Sequence, residues 1–386
     1  MQIKLPYGRS TMEISIPDKF QVEFIEAPNP APAPDPHKAV WQALDSLRGG
    51  LNWEDFRNSK SVAIAINDKT RPVPHAILLP PLLERLAALG IPASAITFYI
   101  AVGSHPPMRK EEFPAILPNS ILERYAVVSH DSEDPAMVAF AGSTSRGTPV
   151  WVNRRYLESD LKIVVGNIEP HQFAGFSGGV KTAAIGLAGL RTINKNHALM
   201  TDAQSVLGEY ATNPTRQDIE EIGEKINIHL ALNAILNQQR EIICVLAGAP
   251  RTVVREGLAH SRQACQVAVG RPFRMVIASP GGHPKDINVY QTQKGLAHAA
   301  LVTQAGGTLF LVAACPEGTG SPHYENWVDG KTNHQEVINS FFEEGFRIGP
   351  HKAYQISRDA LPITLYSYTQ MELEFARRLL LNPVTD

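Results

Sequence analysis

The 386-residue chain has few of the features that mark membrane, nucleic-acid-binding or disulfide-rich proteins. Its three cysteines, Cys244, Cys265 and Cys315, are widely spaced and form no CxxC pair, which favours a reducing compartment. No apolar run approaches the roughly 20 residues of a membrane span, and the first residues lack the apolar stretch of a signal peptide. The formal net charge is only −2, so no strongly basic surface for nucleic acid is indicated. We therefore expect a cytoplasmic protein without nucleic-acid or membrane partners.

The chain does contain enough apolar material for a large core, since 44% of its residues are hydrophobic. Apolar runs predict strands over 62–66, 96–102, 126–129 and 161–165, and a leucine stripe predicts a helix over 76–90. The pattern breaks near Gly270 and restarts, with strands expected over 275–278, 308–314 and 363–368 and helices over 291–304 and 371–381. This alternation is typical of the α/β class. We predict two α/β domains with mainly parallel sheets, over residues 1–270 and 271–386, with an active-site cleft between them.

Polar residues follow the ends of several predicted strands. Asp68, Thr70 and Arg71 come after the first, within Asp68-Lys69-Thr70-Arg71-Pro72, and His105 comes after the second. Because ligands in open parallel sheets bind beyond the carboxyl ends of the strands, these loops are expected to converge on one crevice. Each loop alone also fits an ordinary polar turn.

A glycine-rich segment is the densest signal in the sequence. It runs from Pro170-His171 to Gly178-Gly179-Val180-Lys181. Glycines permit close approach of the backbone to a ligand, whereas a lysine at a helix start opposes the helix dipole. An anionic or covalent ligand would explain that lysine. The segment is not a P-loop, because valine stands where the phosphate-binding loop requires glycine.

Three histidines, His105, His171 and His197, occur beside these motifs. A histidine near its ordinary pKa serves as a general acid or base, and neutral imidazole is a common ligand of nickel. No familiar zinc spacing surrounds His197, so any further metal donors must come from elsewhere, including a bound cofactor. Taken singly, each ring is equally compatible with a solvated loop position.

The second domain adds a helix face that suits an anionic, hydroxylated ligand. After Gly281-Gly282-His283-Pro284-Lys285-Asp286 the chain continues with Tyr290, Gln291 and Lys294. Lys294 lies at i+4 from Tyr290 and at i+3 from Gln291, so all three share one side of the expected helix. A solvated charged face is the alternative reading.

The ordered set of segments resembles the lactate racemase family, whose members use a nickel-pincer nucleotide. The resemblance covers residues 68–294. It implies a pyridinium-3-thioamide-5-thiocarboxylic acid mononucleotide tethered to Lys181 and an Ni(II) ion bound by His197. His105 and His171 would be the acid and base, and Arg71 and Lys294 would hold the substrate. The remaining nucleotide contacts would come from Asp68, Thr70, Gly178, Gly179, Tyr290 and Gln291.

The function implied is inversion of the C2 stereocentre of a small 2-hydroxy acid by transient hydride transfer to the cofactor. Two histidines suit this chemistry because each enantiomer needs its own base, and cations stabilise the carboxylate and developing charge. The cofactor carries out the redox chemistry, so proteins that synthesise the cofactor are expected partners. The sequence does not indicate the oligomeric state.

Two departures from the family pattern and several alternatives remain. Thr182-Ala183-Ala184 follows the lysine where the family often has Pro-Gly, and no tryptophan occurs after Trp327, with Tyr354 as the candidate substitute. The substrate is therefore open among lactate, malate and longer or sugar acids. A nucleotide or organic-anion binding protein without turnover is the main alternative. A nicotinamide oxidoreductase is disfavoured by the lack of a GxGxxG motif after any strand, and a metal hydrolase by the missing ligand set.

Overall fold

The computed structural model describes residues 1–71 and 73–385. The chain divides into two compact units, one formed by Glu26–Val267 and the other by Met1–Ile25 together with Ala268–Asp386. The sequence pattern assigned residues 1–25 to the N-terminal domain, and the structure corrects this assignment. The pairing is non-local, since the Gly8 amide donates to the Asp286 carboxylate 278 positions away, and such a contact leaves no local signal. No helix within the described ranges is long and apolar enough to cross a membrane.

The elements are numbered here in chain order. The strands are β1 (Gln2–Tyr7), β2 (Ser10–Ser15), β3 (Val62–Asn67), β4 (Ile96–Ala101), β5 (Ala126–Ser129), β6 (Val138–Ser143), β7 (Pro149–Asn153), β8 (Leu161–Asn167), β9 (Pro170–His171), β10 (Gly175–Phe176), β11 (Leu230–Leu236), β12 (Ile242–Gly248), β13 (Phe273–Ala278), β14 (Thr303–Val312) and β15 (Thr364–Tyr368). The α-helices are α1 (Pro36–Asp45), α2 (His75–Ala88), α3 (Asn119–Leu122), α4 (Arg154–Glu158), α5 (Lys181–Ala184), α6 (Leu190–Ala198), α7 (Pro214–Lys225), α8 (Pro250–Cys265), α9 (Val289–Val302), α10 (Pro322–Val328), α11 (His334–Glu344), α12 (Pro350–Ala360) and α13 (Leu373–Arg378).

A six-stranded sheet forms the centre of the unit Glu26–Val267. Its strand order is β12-β11-β8-β3-β4-β5, and all neighbours are parallel except the edge pair β11–β12. Every residue of β3 and β8 is buried, as expected for strands covered on both faces. Leucines of α2 contribute to the same core, in which Leu78, Leu82 and Leu86 are fully buried. Burial of this apolar surface is the main favourable contribution to the stability of the unit.

The sheet order brings the functional loops to one edge. The central strands β8, β3 and β4 are adjacent, with Asn67 opposite Ala101 and Ile66 opposite Val165. Since the three strands are parallel, the loops that leave their carboxyl ends begin side by side. These loops carry Asp68, His105 and the β9–β10 hairpin.

The other unit is built on a smaller parallel sheet with the order β13-β14-β15. Helices α9 and α12 contribute Val289, Leu296 and Ile356 to its core. The antiparallel β1–β2 hairpin places Tyr7 in a small apolar cluster with residues of β14. The N-terminal hairpin thus completes a core whose other members come from the end of the chain.

Candidate active site

Asp68 and His105 form a hydrogen-bonded pair at the carboxyl edge of the large sheet. Asp68 is buried directly after β3, and its Oδ2 lies 2.8 Å from Nδ1 of His105. Its Oδ1 accepts from the hydroxyl of Thr70 at 2.7 Å. Burial raises the pKa of Asp68, but the hydrogen bonds from His105 and Thr70 and the charge of Arg71 outweigh burial and lower it below its usual value. The carboxylate is therefore ionised, so Nδ1 of His105 carries a hydrogen and Nε2 of the neutral ring keeps its lone pair.

Arg71 lies in the same loop and reaches toward the end of β8. Its Nη1 is 3.4 Å from Oε1 of Glu169, and both side chains are only partly buried. A guanidinium held loosely by one partly exposed carboxylate keeps donors for a second anion. Pro72, which completed the predicted motif, lies outside the described residues.

His171 ends the short strand β9, which pairs with β10 in a tight hairpin. The backbone N–H of Ala174 donates to His171 Nδ1 at 3.2 Å. A backbone amide only donates, so Nδ1 holds a lone pair and the hydrogen of the neutral ring is on Nε2. His171 and His105 therefore show opposite tautomers, with Nε2 a donor in one ring and an acceptor in the other.

Phe173 packs against two of the histidines. Its ring centroid is 4.8 Å from that of His171 and 5.0 Å from that of His197, with edge-to-face geometry in both cases. Phe173 is thus in contact with both imidazole rings. Phe173 belongs to the glycine-rich segment, but the sequence does not indicate that its ring contacts two histidines.

His197 sits in the last turn of α6 with Nδ1 3.1 Å from Oδ1 of Asn196. The amide nitrogen of Asn196 donates to Thr215 O and to Asp218 Oδ2, which fixes its oxygen as the acceptor toward His197. Nδ1 of His197 therefore carries the hydrogen, and the lone pair of the neutral ring is on Nε2. Burial, with the charges of Lys181 and Arg71, lowers the pKa of His197 to about 3. The ring is thus neutral across the physiological pH range, which is the form that binds metal ions.

Lys181 begins the four-residue helix α5 and is buried, with 8% of its surface exposed. Burial lowers its pKa well below the usual lysine value, the charges of Arg71 and Arg216 lower it further, and Glu169 opposes the shift. A buried amine with a depressed pKa is available in the neutral, nucleophilic form.

The turn before Lys181 owes its glycines to internal packing. Gly178 and Gly179 adopt φ values of +81° and +56°. A Cβ on Gly178 would lie 2.6 Å from Ile168, and one on Gly179 would lie 2.4 Å from Val254. From the sequence alone, these glycines are expected to permit close approach of the backbone to a ligand. The structure provides a different reason, since protein atoms occupy the space beside both Cα atoms and only glycine adopts this backbone without strain.

A buried ion pair on α7 holds this turn. Arg216 and Glu220 are almost completely buried and 2.6 Å apart. The Arg216 guanidinium also donates to the carbonyl of Phe176 at 2.9 Å and to that of Gly178 at 3.2 Å. This role is not predictable from the sequence, because an Arg–Glu pair at i,i+4 is usually a solvated surface pair.

In the second unit, the predicted helix face is present on α9. Lys294 Nζ donates to Gln291 Oε1 at 2.9 Å, as the i,i+3 spacing suggested. The ring of Tyr290 packs edge-to-face on that of His351, with centroids 6.0 Å apart. Tyr354, the suggested substitute for tryptophan, is buried and stacks on Phe341 at 4.6 Å. The structure thus accounts for Tyr354 as a core residue of its own unit.

The predicted site residues fall into two groups. Those of the unit Glu26–Val267 are tied together by the contacts and charges described above, and they comprise Asp68, Thr70, Arg71, His105, His171, Gly178, Gly179, Lys181 and His197. Tyr290, Gln291 and Lys294 belong to the other unit. Among residues 1–71 and 73–385 no group of three or more His, Cys, Asp or Glu side chains is placed to hold a metal ion. A metal at His197 would therefore need donors from a bound cofactor.

Comparisons with known proteins identify the family that the chain resembles. Residues 7–208 match the lactate racemase N-terminal domain and residues 270–347 match the lactate racemase C-terminal domain. The chain is 29% identical to the lactate racemase of Thermoanaerobacterium thermosaccharolyticum over 349 residues, which are 89% of this chain and 81% of that protein. It is also 29% identical to the lactate racemase of Lactiplantibacillus plantarum over 333 residues, covering 85% and 78% of the two chains.

Solved structures show the same relationship. The lactate racemase apoprotein from Thermoanaerobacterium thermosaccharolyticum superposes with a TM-score of 0.92 at 27% identity, covering all of this chain and 93% of the other. A Thermotoga maritima protein shares the fold, with a TM-score of 0.69, 19% identity and 93% coverage of each chain. The family model of the N-terminal domain alone spans more than half of the 386 residues. The chain therefore belongs to the lactate racemase family and is a racemase, an enzyme of the isomerase class.

Proposed function

We propose that the protein inverts the C2 stereocentre of a small 2-hydroxy acid with the help of a nickel-pincer nucleotide attached to Lys181. The observation that carries this proposal is the buried amine of Lys181, whose pKa is strongly depressed beside Arg71 and Arg216. Relatives named lactate racemase support the substrate class. A neutral buried amine suits covalent attachment better than it suits binding of a free anion.

The residues present fit this cofactor. Lys181 would form the thioamide bond, and His197 would offer Nε2 to nickel, because Asn196 already occupies the other ring nitrogen. We assign the nucleotide contacts to the polar and glycine residues singled out in the sequence: Asp68, Thr70, Gly178, Gly179, Tyr290 and Gln291. When bound, the group supplies a reversible hydride acceptor.

Side chains of the protein accept the proton of the substrate hydroxyl and bind the substrate carboxylate. His105 takes the hydroxyl proton at Nε2, and Asp68 stabilises the resulting imidazolium through its 2.8 Å contact with Nδ1. In the neutral resting ring of His171 the hydrogen is on Nε2. To accept a proton it must exchange its tautomer and give up the amide contact with Ala174. Arg71 and Lys294 hold the substrate carboxylate and oxygen.

The decisive experiment measures turnover of the loaded enzyme. The chain is produced together with the proteins that synthesise the cofactor and is given single-enantiomer 2-hydroxy acids in D2O. We expect chiral chromatography to show the opposite enantiomer and mass spectrometry to show no deuterium at C2, because hydride returns to the carbon from which it came. Deuterium at C2 would contradict the proposal, since it indicates direct removal of the carbon-bound proton.

Attachment is tested separately by intact-protein mass spectrometry. Lys181→Ala should abolish the cofactor adduct, because no other amine is expected to replace the buried one. Lys195→Ala is the matched control, since Lys195 is exposed on α6 and should leave the adduct in place. Equal adducts on both variants would exclude Lys181 as the point of attachment.

A further inference from the structure

Helix α12 carries a row of polar side chains on the face that packs against α9. His351, Lys352 and Gln355 are buried, with 7%, 6% and 0% of their surface exposed. Their spacing places Gln355 one turn beyond the other two on the same side of the helix. We call these three residues the α12 polar row. All of it, together with α9, lies within one compact unit.

Lys352 connects the α12 polar row to α9 through a hydrogen bond and a contact with an aromatic ring. Its Nζ donates to Gln293 Oε1 at 3.1 Å and lies 4.7 Å from the centroid of the Tyr290 ring. Burying an ammonium group in place of an apolar side chain costs free energy, so packing alone does not account for a lysine here. Gln293 in turn lies 3.4 Å from the carboxylate of Asp359, which continues the polar contacts along the helix.

His351 directs the hydroxyl group of Tyr290. The Gly349 N–H donates to His351 Nδ1 at 3.1 Å, which places the hydrogen of the neutral ring on Nε2. Nε2 lies 3.5 Å from the Tyr290 oxygen, at the long end of hydrogen bonding. The phenol oxygen thus faces a donor.

Gln355 gives the clearest sign of a ligand. It is fully buried, and within the described chain neither Oε1 nor Nε2 has a hydrogen-bond partner. Buried amides are almost always paired, so this side chain lacks both an acceptor for its N–H groups and a donor for its oxygen. A carboxylate would supply only the acceptor. A hydroxyl group supplies both, because it donates and accepts.

The α12 polar row is adjacent to the residues assigned to the substrate. Tyr290, which contacts Lys352 and His351, lies one helical turn before Lys294 on α9. We propose that Lys352 and Gln355 bind the distal hydroxyl groups of the substrate, so that the enzyme acts on 2-hydroxy acids that carry further hydroxyls along a longer chain. This inference rests on the proposed function, because it assumes that Lys294 holds the same substrate.

The test compares substrates that differ in one property at a time, using single enantiomers and the cofactor-loaded wild-type enzyme. Lactate is the short acid, 2-hydroxyhexanoate has the long chain without further hydroxyls, malate has a second carboxylate, and gluconate has the long hydroxylated chain. We expect kcat/KM for gluconate to exceed that for 2-hydroxyhexanoate about 10-fold or more, since an acid lacking the hydroxyls leaves the Gln355 amide without a hydrogen-bond partner.

Two variants and a matched control locate the effect. Gln355→Leu and Lys352→Met should raise KM for gluconate about 10-fold more than KM for lactate. Gln355→Glu keeps the side-chain volume, removes the amide donor and should show the same discrimination if Gln355→Leu folds poorly. Lys331→Met is the control, because Lys331 also lies over an aromatic ring of this unit, 4.3 Å from the Trp327 centroid, but outside the polar row. Lys331→Met should change KM for gluconate and KM for lactate by the same factor.

The outcomes separate this inference from the proposed function. Preference for lactate, 2-hydroxyhexanoate or malate, or equal losses for all substrates in the α12 variants, overturns the inference while the racemase proposal stands. If enzyme with the cofactor adduct converts none of the four acids, the proposed function fails and this inference fails with it. Calorimetric binding of gluconate to the loaded enzyme, weakened by Gln355→Leu, supports the inference independently of turnover.

Discussion

At His105, His171 and His197 a neighbouring group of fixed polarity decides which ring nitrogen carries the hydrogen. A carboxylate and an amide oxygen accept from the Nδ1 atoms of His105 and His197, whereas a backbone N–H donates to that of His171. The spacing of the sequence identified these residues as candidates but left each compatible with a solvated loop. The polarity of the partner, which distinguishes base, donor and ligand, is a property of the folded chain.

Asp68→Asn tests the tautomer of His105. An amide can rotate its NH2 toward Nδ1, which moves the ring hydrogen to Nε2 and removes the base. We expect kcat to fall about 100-fold or more with KM much less affected, measured on enzyme whose cofactor adduct is verified by mass spectrometry. Asp202→Asn, at an exposed position, is the control. A kcat within twofold of wild type in Asp68→Asn would show that His105 does not need the carboxylate.

Among the secondary-structure elements, α7 organises the turn that precedes Lys181. Its Arg216 holds two carbonyls of the turn, and its Asp218 accepts from Asn196 beside His197. One helix therefore fixes both the Lys181 segment and the His197 segment. Nothing in the sequence marked α7 as part of the site, because its contribution runs through main-chain carbonyls rather than through a motif.

Removal of Arg216 should be costly because it leaves Glu220 charged and unpaired in the interior. We expect Arg216→Met to lower the free energy of unfolding by about 3–5 kcal/mol, measured by denaturant titration. The double variant Arg216→Met with Glu220→Met should recover much of this loss. The surface pair Arg251–Glu224 is a matched control, and Arg251→Met should have little effect. Similar losses from Arg216→Met and Arg251→Met would contradict this account.

The start of α2 contains a histidine that makes the fold sensitive to acid. His75 is buried, and burial lowers its pKa to about 4, although a hydrogen bond to Ile116 O opposes the shift. The unfolded chain takes up this proton below its ordinary pKa of about 6.5, whereas the folded chain takes it up only near pH 4. Stability from this group is therefore complete above pH 6.5 and is lost as the pH falls toward 4.

His75→Gln should remove this dependence. Between pH 7.5 and 5 the unfolding free energy of wild type should fall by about 2 kcal/mol more than that of the variant. His260→Gln, at an exposed position on α8, should retain the wild-type profile. Parallel pH profiles for wild type and His75→Gln would show that His75 is protonated in the folded state.

On the scale of the whole molecule, the sequence predicts the strands of the large sheet more accurately than it predicts which segments belong to each unit. The strands near 62–66, 96–102, 126–129 and 161–165 are found at β3, β4, β5 and β8, because buried β-branched runs have few alternatives. The β6–β7 hairpin and the antiparallel edge strand β12 were not expected. Their positions depend on partners distant in sequence, as does the return of residues 1–25 to the C-terminal unit.

Because residues 1–25 belong to the C-terminal unit, we can predict how the two units respond when a residue of the N-terminal hairpin is replaced. Tyr7 on β1 is buried against β14 and β15, with its ring 5.7 Å from that of Tyr368, and the backbone of Gly8 donates to Asp286. If the N-terminal hairpin belongs to this core, Tyr7→Ala should weaken protection from hydrogen exchange in β1, β2 and β13–β15. The free energy of opening measured for these strands should fall by about 3 kcal/mol.

The six-stranded sheet provides the reference. In Tyr7→Ala its strands should keep their wild-type protection, because β1 contributes nothing to that core. Tyr156→Ala should show the reverse pattern, since Tyr156 is fully buried in the unit Glu26–Val267. Equal loss of protection in both units with either variant would mean that they unfold as a single cooperative body, and that the division of the chain has no energetic counterpart.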